Sequence, residues 1–214
     1  MKTTILLITL LVSLAAEAAT PAEIIDAANK EAEKSRPAAE KARLRLDRLM
    51  KRHPEMHLSL PAEGQHSDLE VIPIYTIGLD DLAKFRSTYD PTTILIDAKR
   101  ALWRTYYPAP GNRGQILSAV EMYKTATGWR TAKLGCADYA ALISQILKGT
   151  TAKVILVEIA PMGLHYVAFA DSSKDLKFCS LDGTYQYDKD NAPDARDVLL
   201  SLVPEAKSHT RRPN

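Results

Sequence analysis

The second half of the chain contains, in this order, Cys136, His165 and Asp182, a set of side chains that can perform nucleophilic catalysis. Cys136 precedes a run with helical spacing, and the amide N–H groups and the dipole at a helix start favour a thiolate. His165 follows 29 residues later inside a strand-like run, whereas the one later histidine, His209, belongs to a polar tail. Because an imidazole beside a thiolate can act as base and then as acid, we interpret Cys136 and His165 as nucleophile and general base.

Asp182 closes the next strand-like run. Period-two alternation puts His165 and Val167 on one face of their strand, and Ser180 and Asp182 on one face of the next strand. A carboxylate at the end of that strand could accept a hydrogen bond from the imidazole and fix its tautomer. Asp171 is the rival, but its position in a turn suits turn hydrogen bonding better. The sequence thus predicts a Cys–His–Asp triad carried by one helix and two strands.

The second cysteine, Cys179, leaves two alternatives open. In an oxidising compartment, a disulfide between Cys136 and Cys179 is the first expectation from counting alone. Alternation puts Cys179 opposite Ser180 and Asp182, so we expect it to point away from Cys136 and to act as a small buried hydrophobe.

An oxyanion hole would also need hydrogen-bond donors near the thiol. The backbone N–H of Cys136 is the natural first donor. Three upstream side chains are open candidates for a second donor: Gln115, Tyr123 and Trp129.

One helix and three strands must position these residues. Helical spacing predicts a helix over residues 137–148, and strand-like runs cover 152–160, 164–170 and 176–181. The short connections between these runs predict antiparallel neighbours. A final helix is expected over 194–202, followed by a polar, frayed tail from residue 206.

The first half is predicted to be mainly helical. Residues 21–52 have helical spacing interrupted at Pro37, which indicates two helices or one kinked helix. Residues 71–75 contain Pro73 and predict a short edge strand. Residues 79–107, interrupted at Asp90 and Pro91, and residues 115–125 are both predicted to be mostly helical.

The N-terminus has the three-part layout of a secretory signal. A basic start precedes an apolar run over residues 5–16, and small residues at Ala16 and Ala18 precede Thr20 and Pro21. Since a membrane-spanning helix needs about 20 apolar residues, we expect cleavage rather than anchoring. The mature protein is therefore predicted to be periplasmic or secreted, with no stable membrane span.

Composition excludes several classes of protein. The net charge of +2, from 28 basic and 26 acidic residues, gives no reason to expect a nucleic-acid partner. Two cysteines are too few for a disulfide scaffold or a four-cysteine zinc site. Residues 53–57 lack the spacing of a zinc helix, and residues 188–197 have Pro193 where a calcium loop requires glycine. We predict no metal, and triad chemistry requires no cofactor.

Residues 135–142, Gly-Cys-Ala-Asp-Tyr-Ala-Ala-Leu, and residues 180–184, Ser-Leu-Asp-Gly-Thr, resemble the transglutaminase-like, papain-related superfamily of cysteine proteases and amidases. The resemblance covers about a quarter of the chain, roughly residues 129–185. It implies an α+β fold with a papain-like or transglutaminase-like core, in which a catalytic cysteine lies on a helix packed on an antiparallel sheet. It also implies Cys136 as nucleophile, His165 as general base and acid, and Asp182 as orienting group.

These inferences divide the chain and give it an expected function. Residues 1–18 are a signal peptide, 19–70 a helical extension, 71–205 the catalytic domain and 206–214 a tail. The expected function is a cysteine hydrolase or acyltransferase that acts on peptide or carboxamide bonds of a protein or peptide through a thioester. Two alternatives stay open: a peptidoglycan amidase or endopeptidase, and an inactive transglutaminase-like module that binds a partner.

Overall fold

Seven strands and four helices account for most of the regular structure in the computed structural model, which describes residues 19–52, 69–106, 116–134, 142–143, 145–147, 153–182 and 191–210. The helices are α1 (Pro21–Ala32), α2 (Arg36–Arg52), α3 (Leu79–Lys84) and α4 (Ala195–Thr210). The strands are β1 (Leu69–Thr76), β2 (Ile96–Tyr106), β3 (Ile116–Thr125), β4 (Gly128–Leu134), β5 (Ile155–Ile159), β6 (Leu164–Ala170) and β7 (Leu176–Ser180).

The strands form one sheet in the order β4-β3-β2-β1-β5-β6-β7. All neighbouring pairs are antiparallel except β1 and β5, which run parallel. The expected α+β class is therefore confirmed at the level of an α+β protein with a mostly antiparallel sheet.

The predicted interruption at Pro37 is a break between two helices. Thr20 caps α1 in a capping box, because its side chain accepts the N–H of Glu23 at 3.4 Å and the Glu23 carboxylate accepts the N–H of Thr20 at 2.8 Å. A 3₁₀ turn, Glu33–Ser35, separates α1 from α2. Pro37 then lies in the first turn of α2, where its missing N–H costs little.

Two segments that the sequence predicts to be mostly helical contain long strands, although the first of them begins with helix α3. Most of residues 79–107 belongs to α3, a short 3₁₀ turn and the long strand β2, and residues 116–125 form β3. Residues 101–104 and 119–122 are all buried. Since both faces of these strands are covered, they lack the alternation that identifies a half-exposed strand.

The predicted edge strand around Pro73 is wrong in its position, because β1 lies in the middle of the sheet between β2 and β5. Pro73 pairs with Ala101 of β2, and the β5 ladder begins only at Ile74. The missing N–H of Pro73 thus falls where β1 has yet to meet its second neighbour.

The second half follows the sequence more closely. Strands β5, β6 and β7 occupy the three predicted runs and pair as antiparallel neighbours. Helix α4 is longer than predicted: it continues through Pro204 to Thr210, and Ala206 is fully buried where a frayed tail was expected.

Helices cover one face of the sheet, which we call the helix face. Its core joins Ile25 of α1 and Leu199 of α4 to Val157 and Phe178, and Trp103 packs there against α2. The Nε1 atom of Trp103 donates to Ser35 Oγ at 2.6 Å, so the junction of α1 and α2 is tied to β2.

The other face, which we call the site face, has its own core. It contains Leu102, Leu156, Val167 and Cys179, and the helical residue Ile143 is buried against them. This face bears the candidate site described below. Within the described ranges, none of the helices combines the length and apolar character that crossing a membrane requires.

Candidate functional site

His165 and Asp182 form the centre of the candidate site. The Nδ1 atom of His165 lies 3.0 Å from Asp182 Oδ1 and 3.1 Å from Oδ2. Asp182 Oδ2 also accepts the backbone N–H of His165, so the carboxylate holds both the ring and the main chain of one residue. The side chains of His165 and Asp182 are 20% and 25% exposed, which leaves the pair accessible at the surface of the sheet.

The end of the β6–β7 ladder brings the two residues together. Tyr166 pairs with Ser180, the last residue of β7, and the N–H of Leu181 donates to the carbonyl of His165 at 2.8 Å. The chain then bends at Leu181 and Asp182, and Ser180 Oγ accepts the N–H of Asp182 at 3.3 Å. Asp182 therefore reaches His165 from beyond the strand end.

The alternation argument about faces is wrong in one respect. His165 and Val167 lie on the site face, but the register sets Val167 opposite Cys179 and Ala168 opposite Phe178. Cys179 is consequently buried on the same face as Val167, whereas Phe178 belongs to the core of the helix face. Cys179 thus lies on the face that carries His165, two residues along the ladder from the His165–Leu181 end. The expectation that it points away from Cys136 stays a prediction, because Cys136 lies outside the described residues.

Cys136 lies outside the described residues, as does the signal segment 1–18. The nearest described part of its predicted helix is at Leu142 and Ile143, which are helical, and Ile143 is fully buried on the site face. The described helical residues Ile143 and Ile146 thus pack on the face of the sheet that carries His165.

A charged row on the site face was missed from the sequence. Arg100 Nε binds Glu121 Oε1 at 2.6 Å, and Arg100 Nη1 binds Glu158 Oε2 at 2.6 Å. Burial lowers the pKa of Arg100, but the hydrogen bonds that it donates to the two carboxylates outweigh the burial and raise that pKa overall. Glu158 pairs directly with His165 across β5 and β6, so the row ends beside the imidazole. The available signal was the single acidic residue in the apolar run of β5.

The structure also separates two of the candidate oxyanion donors, Trp129 and Tyr123, from the site. Trp129 packs against α2 on the helix face, the side of the sheet opposite to His165. Tyr123 belongs to β3, four strand positions from β6, which at about 4.8 Å per strand is about 19 Å away. Gln115 lies outside the described residues. Neither Trp129 nor Tyr123 can donate to a carbonyl held beside His165.

Two other titratable residues of the β6–β7 hairpin, Asp171 and Tyr166, are unsuited to the roles of the triad. Asp171 Oδ1 accepts the N–H groups of Ser173 at 2.9 Å and Asp175 at 3.0 Å, which is the turn role expected for it. Burial, with the negative charges of Asp182 and Glu205, raises the pKa of Tyr166 to about 12. Tyr166 stays neutral at ordinary pH and is therefore unsuited to act as a base.

No protein-family model matches this chain, and neither a curated protein nor a solved structure matches it significantly. The functional argument therefore rests on the residues and their geometry.

Proposed function

We propose that the chain is an exported, transglutaminase-like cysteine hydrolase or acyltransferase that acts on peptide or carboxamide bonds. Cys136 is its nucleophile, His165 its general base and acid, and Asp182 the residue that orients His165. The observation that carries the proposal is the double hold of the Asp182 carboxylate on His165, at the imidazole Nδ1 and at the backbone N–H.

This hold specifies the reactive nitrogen. With Nδ1–H donated to Asp182, Nε2 is the basic atom of the ring, and it is the atom that would meet the thiol. The carboxylate also stabilises the imidazolium that forms when the thiol gives up its proton.

The helical periodicity supports a position for Cys136 on the same face. Cys136 precedes Ile143 by seven positions, which is close to two full helical turns. A residue at the start of the predicted helix therefore shares the stripe of Ile143, and Ile143 is buried on the face that carries His165. Two turns correspond to about 10 Å along the helix.

The reaction begins when the Cys136 thiolate attacks the carbonyl carbon of a carboxamide or peptide bond. The tetrahedral intermediate collapses as the C–N bond breaks and His165 delivers its proton to the leaving amine, so that a thioester remains. Water deprotonated by His165 then releases the acid, or a primary amine takes the acyl group. The thiolate is regenerated either way, and no cofactor enters the cycle.

Peptidoglycan is the alternative substrate, since Cys–His hydrolases of the cell wall share this layout and the expected compartment. An inactive binding module is the alternative outside enzymes. The two differ in their readout, because the first releases muropeptides from sacculi and the second binds without turnover.

The test measures product formation on a glutamine-containing peptide library and on isolated sacculi, with and without an added primary amine. Mass spectrometry distinguishes bond cleavage, deamidation and amine incorporation. Cys136→Ser should abolish all products, and Asp182→Asn should lower the rate about 10²–10⁴-fold. Cys179→Ala is the matched cysteine control and should retain activity.

Retention of activity in Cys136→Ser would overturn the assignment of the nucleophile. Products from sacculi alone would transfer the proposal to the cell-wall alternative. Absence of products from both substrates would favour the binding module.

A further inference from the structure

Helix α2 presents a row of positive charge to solvent. Lys41, Arg45, Arg48 and Arg52 are all exposed. Their spacing is i, i+4, i+7 and i+11, which at 100° per residue confines them to a sector of about 60° around the helix. The row, which we call the α2 cationic stripe, extends over about 16 Å of helix.

The stripe has a fixed orientation because the other side of α2 is part of the core. Ala39, Ala42 and Leu46 are 1%, 5% and 3% exposed, and the two alanines pack with Trp103 on the helix face. The helix cannot roll to bury its cations without breaking that cluster. The stripe is therefore a permanent feature of the surface at the β3–β4 end of the sheet.

Within the stripe, Arg48 Nε donates to the carbonyl of Leu44 at 3.2 Å, a contact inside the helix itself. Like charges three and four positions apart on a helix repel one another, and the stripe contains such neighbours along its whole length. Helix α2 carries seven basic and two acidic residues, whereas the whole chain has a net charge of only +2. The positive charge is thus concentrated on one helix while the rest of the chain is net negative.

A leucine borders the stripe. Leu44 is 52% exposed, three residues after Lys41 and four before Arg48, so it lies one helical turn from each of them. Cations around an exposed aliphatic side chain suit an anionic lipid surface, where the charges meet the headgroups and the leucine enters the apolar boundary. A nucleic-acid backbone would offer the leucine no apolar environment.

We propose that the α2 cationic stripe, with Leu44, is a docking surface for anionic membranes. Each cation near an anionic surface contributes about a five-fold gain in binding, so the four together give weak, reversible attachment that salt weakens. This inference is independent of the catalytic proposal, because α2 and His165 lie on opposite faces of the sheet.

The test is co-sedimentation of the full chain with vesicles of phosphatidylcholine alone and of phosphatidylcholine with phosphatidylglycerol, at low and physiological salt. The partition coefficient for the anionic vesicles, divided by that for phosphatidylcholine alone, isolates the electrostatic part of the binding. The apolar contribution of residues 1–18 is common to both kinds of vesicle and to every variant. Arg45→Gln combined with Arg48→Gln should lower this ratio about 25-fold. Leu44→Ser should lower binding to the anionic vesicles further.

The matched control is Arg86→Gln combined with Arg196→Gln, which removes two exposed charges near α3 and α4, at the other end of the sheet. It should leave the ratio within about two-fold, since these charges lie far from the docking surface compared with the screening length. Equal loss in both double variants, or equal binding to both kinds of vesicle, would overturn the proposal. Binding to duplex DNA that depends on the stripe, without binding to the anionic vesicles, would replace the membrane with a nucleic acid.

Discussion

Replacing Arg100 with methionine should destabilise the protein substantially. Arg100 is 30% exposed and holds Glu121 and Glu158, whose side chains are only 10% and 12% exposed. The substitution leaves two largely buried carboxylates without their cation. Removing one partner from a buried ion pair costs 3–5 kcal/mol, and because Arg100 is partly solvated we expect the low end, about 3 kcal/mol.

The loss should be measurable by thermal unfolding followed by circular dichroism. For a protein of this size 1 kcal/mol corresponds to 2–4 °C, so the midpoint should fall by about 10 °C at pH 8. Arg130→Met, on the exposed strand β4, is the control and should change the midpoint by less than about 2 °C.

A rescue variant separates charge from the lost volume of the arginine. Adding Glu121→Gln and Glu158→Gln to Arg100→Met should recover at least half of the lost stability, since neutral amides are cheaper to bury than unpaired carboxylates. The reasoning fails if Arg100→Met costs less than about 1 kcal/mol, or if the glutamines bring no recovery.

Two further predictions concern the N-terminal helices. Ser35→Ala removes the acceptor of the buried Trp103 Nε1–H and should lower the free energy of unfolding by about 1–3 kcal/mol in urea denaturation. The control, Ser201→Ala on the exposed side of α4, should have little effect. Equal losses in the two variants would contradict the importance of this bond. Hydrogen bonds from Lys124 and Lys34 lower the pKa of Glu31 from 4.5 to about 2, so its contribution to stability is present above pH 4.5 and is lost as the pH falls towards 2. Glu31→Gln should therefore cost less than about 1 kcal/mol at pH 7 in urea, and the difference should narrow by pH 3; a constant difference would show that charge is not its cause.

The sequence predicted the part of the fold in which neighbouring strands follow one another closely along the chain. Strands β5 to β7 were recognisable because short connections join apolar runs of strand length. Strands β2 and β3 were not, because their pattern resembles helical spacing and their cover, α2 at Trp103 and Ile143 near Leu102, is not visible in their own residues. That cover comes from segments distant in the chain, which no local pattern reports.

The order of the strands was equally inaccessible to local reasoning. The parallel pairing of β1 with β5 joins residues about 80 positions apart, Ile74 with Leu156. It converts a proline-containing run that resembles an edge into a central strand. Loop closure over such a distance is decided by the whole core rather than by the residues of β1.

The proximity of His165 and Asp182 could be predicted, but the reason given for it was incomplete. The short connection between β6 and β7 already requires the two residues to lie at one end of the hairpin. Shared faces do not bring them together: Ser180 lies on the helix-face side of the ladder, and the bend after it redirects Asp182. The charged row that ends at Glu158 needed the β1–β5 pairing and was therefore out of reach.

The central claim is that Cys136 and His165 form a reactive pair oriented by Asp182. The most direct test of this claim is the rate at which iodoacetamide alkylates Cys136, measured as a function of pH. Protein prepared without reductant would be mapped by mass spectrometry, with Cys179→Ala to remove the second thiol. We predict rapid modification of Cys136 at about pH 6. This modification should be lost in His165→Ala, in which the pKa of the thiol should be about 8.5. A disulfide between Cys136 and Cys179, or the same slow alkylation of Cys136 with and without His165, would contradict the claim.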